Sequence, residues 1–336
     1  MEIPNAQDKS LSAPNRRATR RSELLSNFGL LAGSLLLVAF FTEIGLRLFY
    51  HKPLALTDDE RTLTYRYDPE LGWFPAPNTS KRFTGARTIT ITHNSAGFRD
   101  HEPSRSGRTG IIFLGDSLVW GFDVEAHERF SDQLQAAHPN WNVHNFGVSG
   151  YGTDQEYLLL QRHFDQYKPG VVFLLICGDN DNEDNAWNFR GGAYKPFYTI
   201  ANGRLKLNGV PVPKSEKIIL SEHKWLTRLY LTRLLTRVYC RCASPTPMKN
   251  ADPPTGALIL EMRNYVAGKG AFFAVGLQHD NADLEKFLQQ FSIPFVDLTT
   301  TNSAHYYSTH GNHWTPEGHS FVAEKINRFL IADRSN

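Results

Sequence analysis

Gly115-Asp116-Ser117-Leu118 follows directly on the apolar run Gly110-Ile111-Ile112-Phe113-Leu114. A run so rich in β-branched and aromatic residues reads as a short buried strand, and it delivers a serine to its C-terminal end. In an open α/β sheet that edge is where ligands bind. A serine hydroxyl is a poor nucleophile until a base takes its proton, and histidine is the usual base because it titrates near neutrality. Attack on an ester carbonyl creates an oxyanion, which needs hydrogen-bond donors fixed in advance. Groups of these kinds follow in Asn145-Phe146-Gly147-Val148-Ser149-Gly150, in Gly178-Asp179-Asn180-Asp181 and in His313-Trp314-Thr315-Pro316-Glu317-Gly318. Each residue alone also has a plain structural reading. Gly150 fits a turn glycine, Asn180 an Asx-turn or helix cap, and His313 is one of thirteen histidines.

The elements that must position these groups can be read from the apolar periodicity. Residues 111–114, 141–146, 171–177, 271–277 and 293–296 read as buried strands. Helical patterns occupy 124–137, 154–167, 257–267, 283–291 and 316–331. Strands alternating with helices predict a parallel sheet with right-handed crossovers, so every strand's C-terminal end lies on one edge. Ser117, Gly150 and Asn180 each fall just past such an end, and His313 falls in the loop before the last helix.

Serine, glycine, asparagine and histidine in this order resemble the four blocks of the SGNH/GDSL hydrolase superfamily. The resemblance implies an α/β fold of three layers, α/β/α, with a central parallel sheet of the SGNH/flavodoxin-like kind. It implies Ser117 as nucleophile and His313 as general base. It also implies an oxyanion hole made by the backbone N–H groups of Ser117 and Gly150 with the side-chain amide of Asn180. The resemblance implies no metal or organic cofactor.

One position departs from the family pattern. The aspartate usually found three residues before the histidine is replaced by His310, within His310-Gly311-Asn312-His313. Loss of a triad acid can cost about 10⁴ in turnover where nothing compensates. Three readings stay open: a carboxylate from elsewhere, such as Asp280 or Asp297; a backbone carbonyl or neutral His310 holding the ring in a Ser-His dyad; or a dead site. A zinc site at His310-x-x-His313 lacks a third ligand at a recognisable spacing.

Composition bounds the setting. The 336 residues carry a net charge of +2 with 21% charged side chains, a balance that does not point to nucleic acid. Residues 28–49 are almost wholly apolar up to Thr42, Glu43 and Arg47. As a helix this stretch would be about 33 Å long, enough to cross a hydrocarbon core. Lys9, Arg16, Arg17, Arg20 and Arg21 precede it, and the downstream flank is less basic. Positive charge stays inside, which predicts a single-pass protein of the bacterial inner (cytoplasmic) membrane, with the N-terminus in the cytoplasm and the catalytic part in the periplasm. A cleaved signal peptide is the rival, but no small-x-small site follows the run. Glu43 and Arg47, four apart, can pair or reach headgroups.

The expected organisation is a basic tail (1–27), a transmembrane helix (28–49), a β-rich leader packed on the core (50–108) and an SGNH hydrolase domain (109–336) with an insertion at about 186–255. In the leader, Asn94-Ser95-Ala96-Gly97-Phe98-Arg99 resembles the Asn-x-x-Gly-Phe-Arg segment of membrane-anchored bacterial SGNH proteins, and residues 88–92 alternate like a strand. The same likeness covers Tyr151-Gly152-Thr153-Asp154-Gln155 and the segment Asn180-Asp181 with Asp184-Asn185. In the insertion, Asn202-Gly203 and Asn208-Gly209 are hairpin-turn signals. Residues 223–241 read as a basic amphipathic helix, either packed on the core or acting as a lid or membrane-facing surface. Cys177 reads as a buried core residue, and Cys240-Arg241-Cys242 is too closely spaced for an unstrained bridge.

These features converge on a membrane-anchored extracytoplasmic serine esterase working through an acyl-Ser117 intermediate. The expected substrate is an ester or acylated glycan with a small acyl group such as acetyl, the glycan being implied by the family and location. An O-acyltransferase shares the acyl-enzyme, and a non-catalytic cell-envelope binding protein is the contrasting class that His310 favours.

Overall fold

Five strands form the central sheet: β1 (Thr109–Gly115), β2 (Trp141–Gly147), β3 (Val171–Ile176), β4 (Phe272–Leu277) and β5 (Phe295–Asp297). All neighbours pair in parallel, in the order β5-β4-β3-β1-β2. Read from the other edge this is 2-1-3-4-5, the flavodoxin-like order, whose switch point lies between β1 and β3. The computed structural model describes residues 16–56, 59–103, 109–279 and 281–333.

The sheet is covered on both faces because its strands alternate between two apolar sets. Ile112, Leu114, Val172, Leu174 and Val275 pack with Leu159 and Leu160 of helix Thr153–Tyr167 and with Leu258, Met262 and Val266 of helix Thr255–Gly268. Ile111, Phe113, Val143, Phe173 and Ala274 face the other way, onto Phe130 and Leu134 of helix Phe130–Ala137 and Val322, Ile326 and Leu330 of helix Pro316–Asp333. Near-continuous apolar strands with opposite-facing neighbours are what a doubly covered parallel sheet requires. The three-layer expectation holds.

Several boundaries differ from the sequence reading. The helix expected over 124–137 is confined to Phe130–Ala137, preceded by a 3₁₀ turn at Ala126–Glu128. Asp123 has φ of 64°, a left-handed conformation that breaks the helical path before residue 124. Strand β3 ends at Ile176, and Cys177 is a half-buried residue opening helix Gly178–Ala186 rather than a core strand residue. None of the three cysteines is in a disulfide among the described residues.

The chain divides into two units, one comprising the N-terminal part to Leu56 with Trp225–Leu235, the other Thr57–Lys224 with Thr236–Asn336. In the first unit a helix runs over Arg16–Phe49, and Glu23–Phe49 has a mean hydropathy of 2.0. Glu43 and Arg47 pair at 2.7 Å. The Glu43 carboxylate also accepts the backbone N–H groups of Tyr230 and Leu231 at 3.1 and 2.9 Å, capping the start of helix Tyr230–Ala243. An acid at a helix N-terminus satisfies orphan donors and suits the helix dipole. The basic helix expected over 223–241 is thus two pieces, a 3₁₀ segment Lys224–Arg228 and the α-helix Tyr230–Ala243.

In the second unit the leader forms two hairpins, Tyr65–Asp68 with Gly72–Pro75 and Ser80–Thr84 with Thr88–Thr92. Ile89 and Ile91 point inward and the threonines outward, the alternation expected of that strand. The insertion holds a hairpin, Phe197–Ala201 with Arg204–Asn208, turned by Asn202-Gly203. Asn208-Gly209 is not a hairpin turn; it ends the second strand and leads into Val210-Pro211.

Candidate active site

Ser117 is the first residue of a short helix, Ser117–Trp120, packed tightly beneath the end of β1. Asp116 caps that helix, its carboxylate accepting the Leu118 N–H at 2.9 Å. The backbone of β2 lies so close that a Cβ on Gly147 would sit 2.2 Å from the Trp120 nitrogen. The glycine in block Asn145–Gly150 therefore permits a close approach. Asn145 secures the same junction, donating to the Val119 carbonyl at 2.7 Å and to Ser131 Oγ at 2.9 Å.

The far end of the Ser117 helix rests on Arg99, a buried guanidinium that donates to the carbonyls of Trp120, Gly121 and Val124. Burial, with Arg129 nearby, pulls its pKa down to about 9. The leader segment Asn94–Arg99 thus reaches the Ser117 helix from behind. Carbonyls without intrahelical partners at a helix end need such a donor.

Gly150 sits in the loop after β2, with φ of 79°. That loop continues the pairing of β1 and β2, since Val148 N–H donates to the Gly115 carbonyl at 3.0 Å. The leader clamps it. Ser149 Oγ donates to Glu60 Oε1 at 2.6 Å, Ser149 N–H to the Tyr65 hydroxyl at 3.2 Å, and the Trp73 indole to the Ser149 carbonyl at 3.1 Å. Tyr151 closes the clamp by donating to the Trp73 carbonyl at 2.6 Å.

Asn180 belongs to helix Gly178–Ala186, directly past β3. Its amide is oriented from both sides: Nδ2 donates to Asp116 Oδ2 at 3.1 Å, and Oδ1 accepts from Arg190 at 2.8 Å. Arg190 also pairs with Asp184 at 2.7 Å. Arg190 lies in the insertion and was not among the residues singled out from sequence; no local motif marks it, and only the fold brings it to Asn180.

His313 Nε2 lies 2.8 Å from Ser117 Oγ, across 196 residues of chain. Its other ring nitrogen, Nδ1, is 2.8 Å from the carbonyl oxygen of His310. A carbonyl only accepts, so Nδ1 carries the proton and Nε2 presents a lone pair to the serine hydroxyl. The turn that allows this runs through Gly311 and Asn312, at φ of 75° and 54°. Phe122 stacks on the imidazole with centroids 4.4 Å apart. The His310 ring itself is exposed and bonds to Thr309.

The three readings of the missing acid can now be sorted. Asp297 is exposed and accepts the Thr299 N–H at 2.8 Å, so it serves its own turn. Asp280 lies outside the described residues. Among the described residues no third ligand joins His310 and His313 in a metal-binding group. The acid's orienting place is taken by the His310 carbonyl. Two buried carboxyls interact with the imidazole at longer range. Asp116 is pushed up by burial, against the Leu118 N–H and the attraction of His313. Asp123 is likewise pushed up by burial, against the Ala86 N–H and the attraction of His313 and His310.

Below the site, Asp154, Glu156, Asp181 and Asp184 are buried together. Lys195, fully buried, pairs with Asp154. Among the described residues Glu156 has no hydrogen-bond partner for either oxygen, and burial, with Asp181 and Asp116, raises its pKa well above the usual range. Asp181 accepts the Cys177 N–H at 2.7 Å and holds the end of β3.

A five-stranded parallel sheet in this order, with serine, glycine and asparagine past the ends of successive strands, defines an SGNH-type α/β domain. The family model for GDSL-like lipase/acylhydrolases matches residues 113–321, and the chain belongs to that family of ester hydrolases. No protein with a curated description matches it in sequence. Solved structures of similar shape include a member of the lipolytic G-D-S-L family from Veillonella parvula DSM 2008, at 15% identity, 66% of this chain, 97% of that one and a TM-score of 0.38. The psychrotrophic esterase EstA from Pseudoalteromonas sp. aligns at 13% identity over 68% of this chain and 100% of its own, with a TM-score of 0.39. A family 3 carbohydrate esterase from Clostridium thermocellum aligns at 14% identity over 67% and 96%, with a TM-score of 0.38.

Proposed function

We propose that this chain is a membrane-anchored esterase that cleaves small acyl groups, acetyl above all, from a glycan through an acyl-Ser117 intermediate. The observation that carries the chemistry is the hydrogen-bonded line from Ser117 Oγ through His313 to the His310 carbonyl, 2.8 Å at each step.

In the first half-reaction the Ser117 oxygen bonds to the ester carbonyl carbon while its proton passes to His313 Nε2. The carbonyl oxygen becomes an oxyanion facing the Ser117 and Gly150 N–H groups and the Asn180 amide. Collapse breaks the ester C–O bond, and the imidazolium returns the proton to the departing alkoxide. Water then attacks the acyl-enzyme carbonyl, giving a proton to His313, and His313 returns it to Ser117 Oγ as the acyl C–O bond breaks and the acid leaves. The charged imidazolium is stabilised by the His310 carbonyl, by the Phe122 face and, at longer range, by Asp116 and Asp123. A sugar hydroxyl in place of water would make the same enzyme an acyltransferase. The second reading, a binding protein with a degenerate site, is favoured only by the histidine at position 310.

The chain organisation follows the same proposal: a basic tail (1–27), a span (28–49), a leader (50–108) and a hydrolase domain (109–336) carrying the 186–255 insertion. The span fixes the protein in the inner membrane with its N-terminus inside and its catalytic domain outside. The segment 223–241 lies along the membrane surface, its exposed Trp225, Leu229 and Leu235 entering the headgroup layer beside basic side chains. The test is covalent trapping. A fluorophosphonate should label the full-length protein once, at the peptide containing Ser117, and labelling elsewhere or not at all would count against the mechanism.

A further inference from the structure

Beside Gly150 lies an open pocket lined by Arg61, Tyr65, Arg66, Trp73, Lys217 and Ser221. Arg61 is held in place before any ligand arrives. Its guanidinium lies over the Trp73 ring at 5.5 Å and fills the space that side chains at positions 150 and 191 would take: a Cβ on Gly150 would be 3.0 Å from Nη1, and one on Gly191 2.3 Å from Nη2. Among the described residues only Nη2 has a hydrogen-bond partner, Asp59 Oδ2 at a long 3.4 Å. Nε is buried without one among those residues, with the Glu60 Oε1 carboxylate oxygen at 3.5 Å.

The local charges do not cancel. Arg61, Arg66 and Lys217 bring three positive charges, while Asp59 and Glu60 bring two negative ones, and both carboxylates are already engaged, Asp59 by Lys217 and Glu60 by Ser149. The surplus of one suits a monoanion. A planar guanidinium with hydrogen-bonding capacity to spare matches a carboxylate.

We propose that this pocket is a subsite for the carboxylate of an acidic sugar, a uronic residue placed next to the one whose ester faces Ser117. The inference rests on the esterase reading of the site for its position, since Gly150 is the link between pocket and oxyanion hole. It adds the substrate class: an acylated polyuronate-type glycan rather than a neutral one.

The test separates binding from turnover. Full-length Ser117→Ala protein in detergent is titrated calorimetrically with a uronic tetrasaccharide and with its carboxyl-reduced, neutral counterpart. The acidic form should bind at least about tenfold more tightly, within what one charge-assisted pairing supplies. Arg61→Gln should bring the ratio close to one, and Arg66→Gln, a change on the exposed rim, should lower it part-way. Should Arg61→Gln fail to fold, Arg66→Gln carries the test. Equal affinity for the two sugars, or a ratio unchanged by the folded variants, would overturn the proposal. Acetyl-ester turnover of the native chain is measured alongside. Ser117-dependent turnover without a uronate preference would remove the subsite and leave the esterase standing. A uronate preference without such turnover would keep the subsite and remove the catalytic reading.

Discussion

The Nδ1 atom of His313 points at the main-chain oxygen of His310, 2.8 Å away, where the family's usual arrangement has an aspartate side chain. A carbonyl fixes the ring and its tautomer as well as a carboxylate does. It supplies a dipole instead of a full charge, so it stabilises the imidazolium less. His310→Asp should therefore raise turnover on an acetyl ester, on the order of tenfold, well short of the full value of a triad acid, about 10⁴. Steady-state kinetics of the two proteins checks this, and a fall would mean that the His310 ring has a positive role of its own.

Asn180 is oriented by Asp116 on one side and Arg190 on the other. If its amide serves the oxyanion, Asn180→Ala should lower kcat by about 10²–10³ with little change in KM. Arg190→Gln should lower kcat by a smaller factor, about tenfold, because it frees the amide without removing it. Unchanged kinetics in Asn180→Ala would take the residue out of the site.

Gly147 offers a structural test of the seat of Ser117. An alanine there would drive its Cβ into the Trp120 and Val119 backbone, at 2.2 and 2.6 Å. The Ser117 helix must move, so Gly147→Ala should cost about 1–3 kcal/mol of stability and lower turnover disproportionately. Denaturant melts beside kinetics would read both. A variant equally stable and active would mean that the helix tolerates displacement.

Glu156 makes stability depend on pH in a definite direction. Its folded pKa is raised, so the native state holds a proton that the unfolded chain gives up above the usual carboxyl range. Stability contributed by this group is greatest at low pH and falls, by up to about 1.4 kcal/mol per pH unit, as pH rises from the unfolded towards the folded value. Glu156→Gln keeps the shape without the proton equilibrium. It should melt higher than the parent at pH 8 and at nearly the same temperature at pH 4. A Glu156→Gln protein less stable at both would contradict a neutral, buried Glu156.

Much of this architecture is visible in sequence because it is carried by local pattern. Runs such as Ile111–Leu114 and Val171–Ile176 are apolar on both faces, and the serine, glycine and asparagine blocks directly follow such strands. What escaped depends on chain reversal or tertiary reach. The helix over 124–137 is cut short by the left-handed Asp123, whose side chain is held by Ala86 in the leader. The orienting group for His313 is a main-chain atom, which every residue has and no sequence motif reports. Arg61, Glu60, Tyr65 and Trp73 meet Ser149 and Gly150 from 76 to 89 residues away in the chain, beyond any periodicity. Glu43 capping Tyr230 and Leu231 is of the same kind: an acid in an apolar helix is conspicuous, its partner nearly 190 residues on is not.

The central claim is that Ser117 attacks an ester. The most direct measurement is hydrolysis of a chromogenic acetyl ester by the full-length protein in detergent, beside its Ser117→Ala variant. The account predicts turnover in the first and a loss of at least about 10³-fold in the second, since removing a nucleophile leaves only the oxyanion hole and binding to act. Equal rates in the two proteins, or none in either with an acetylated uronic glycan as well, would contradict it.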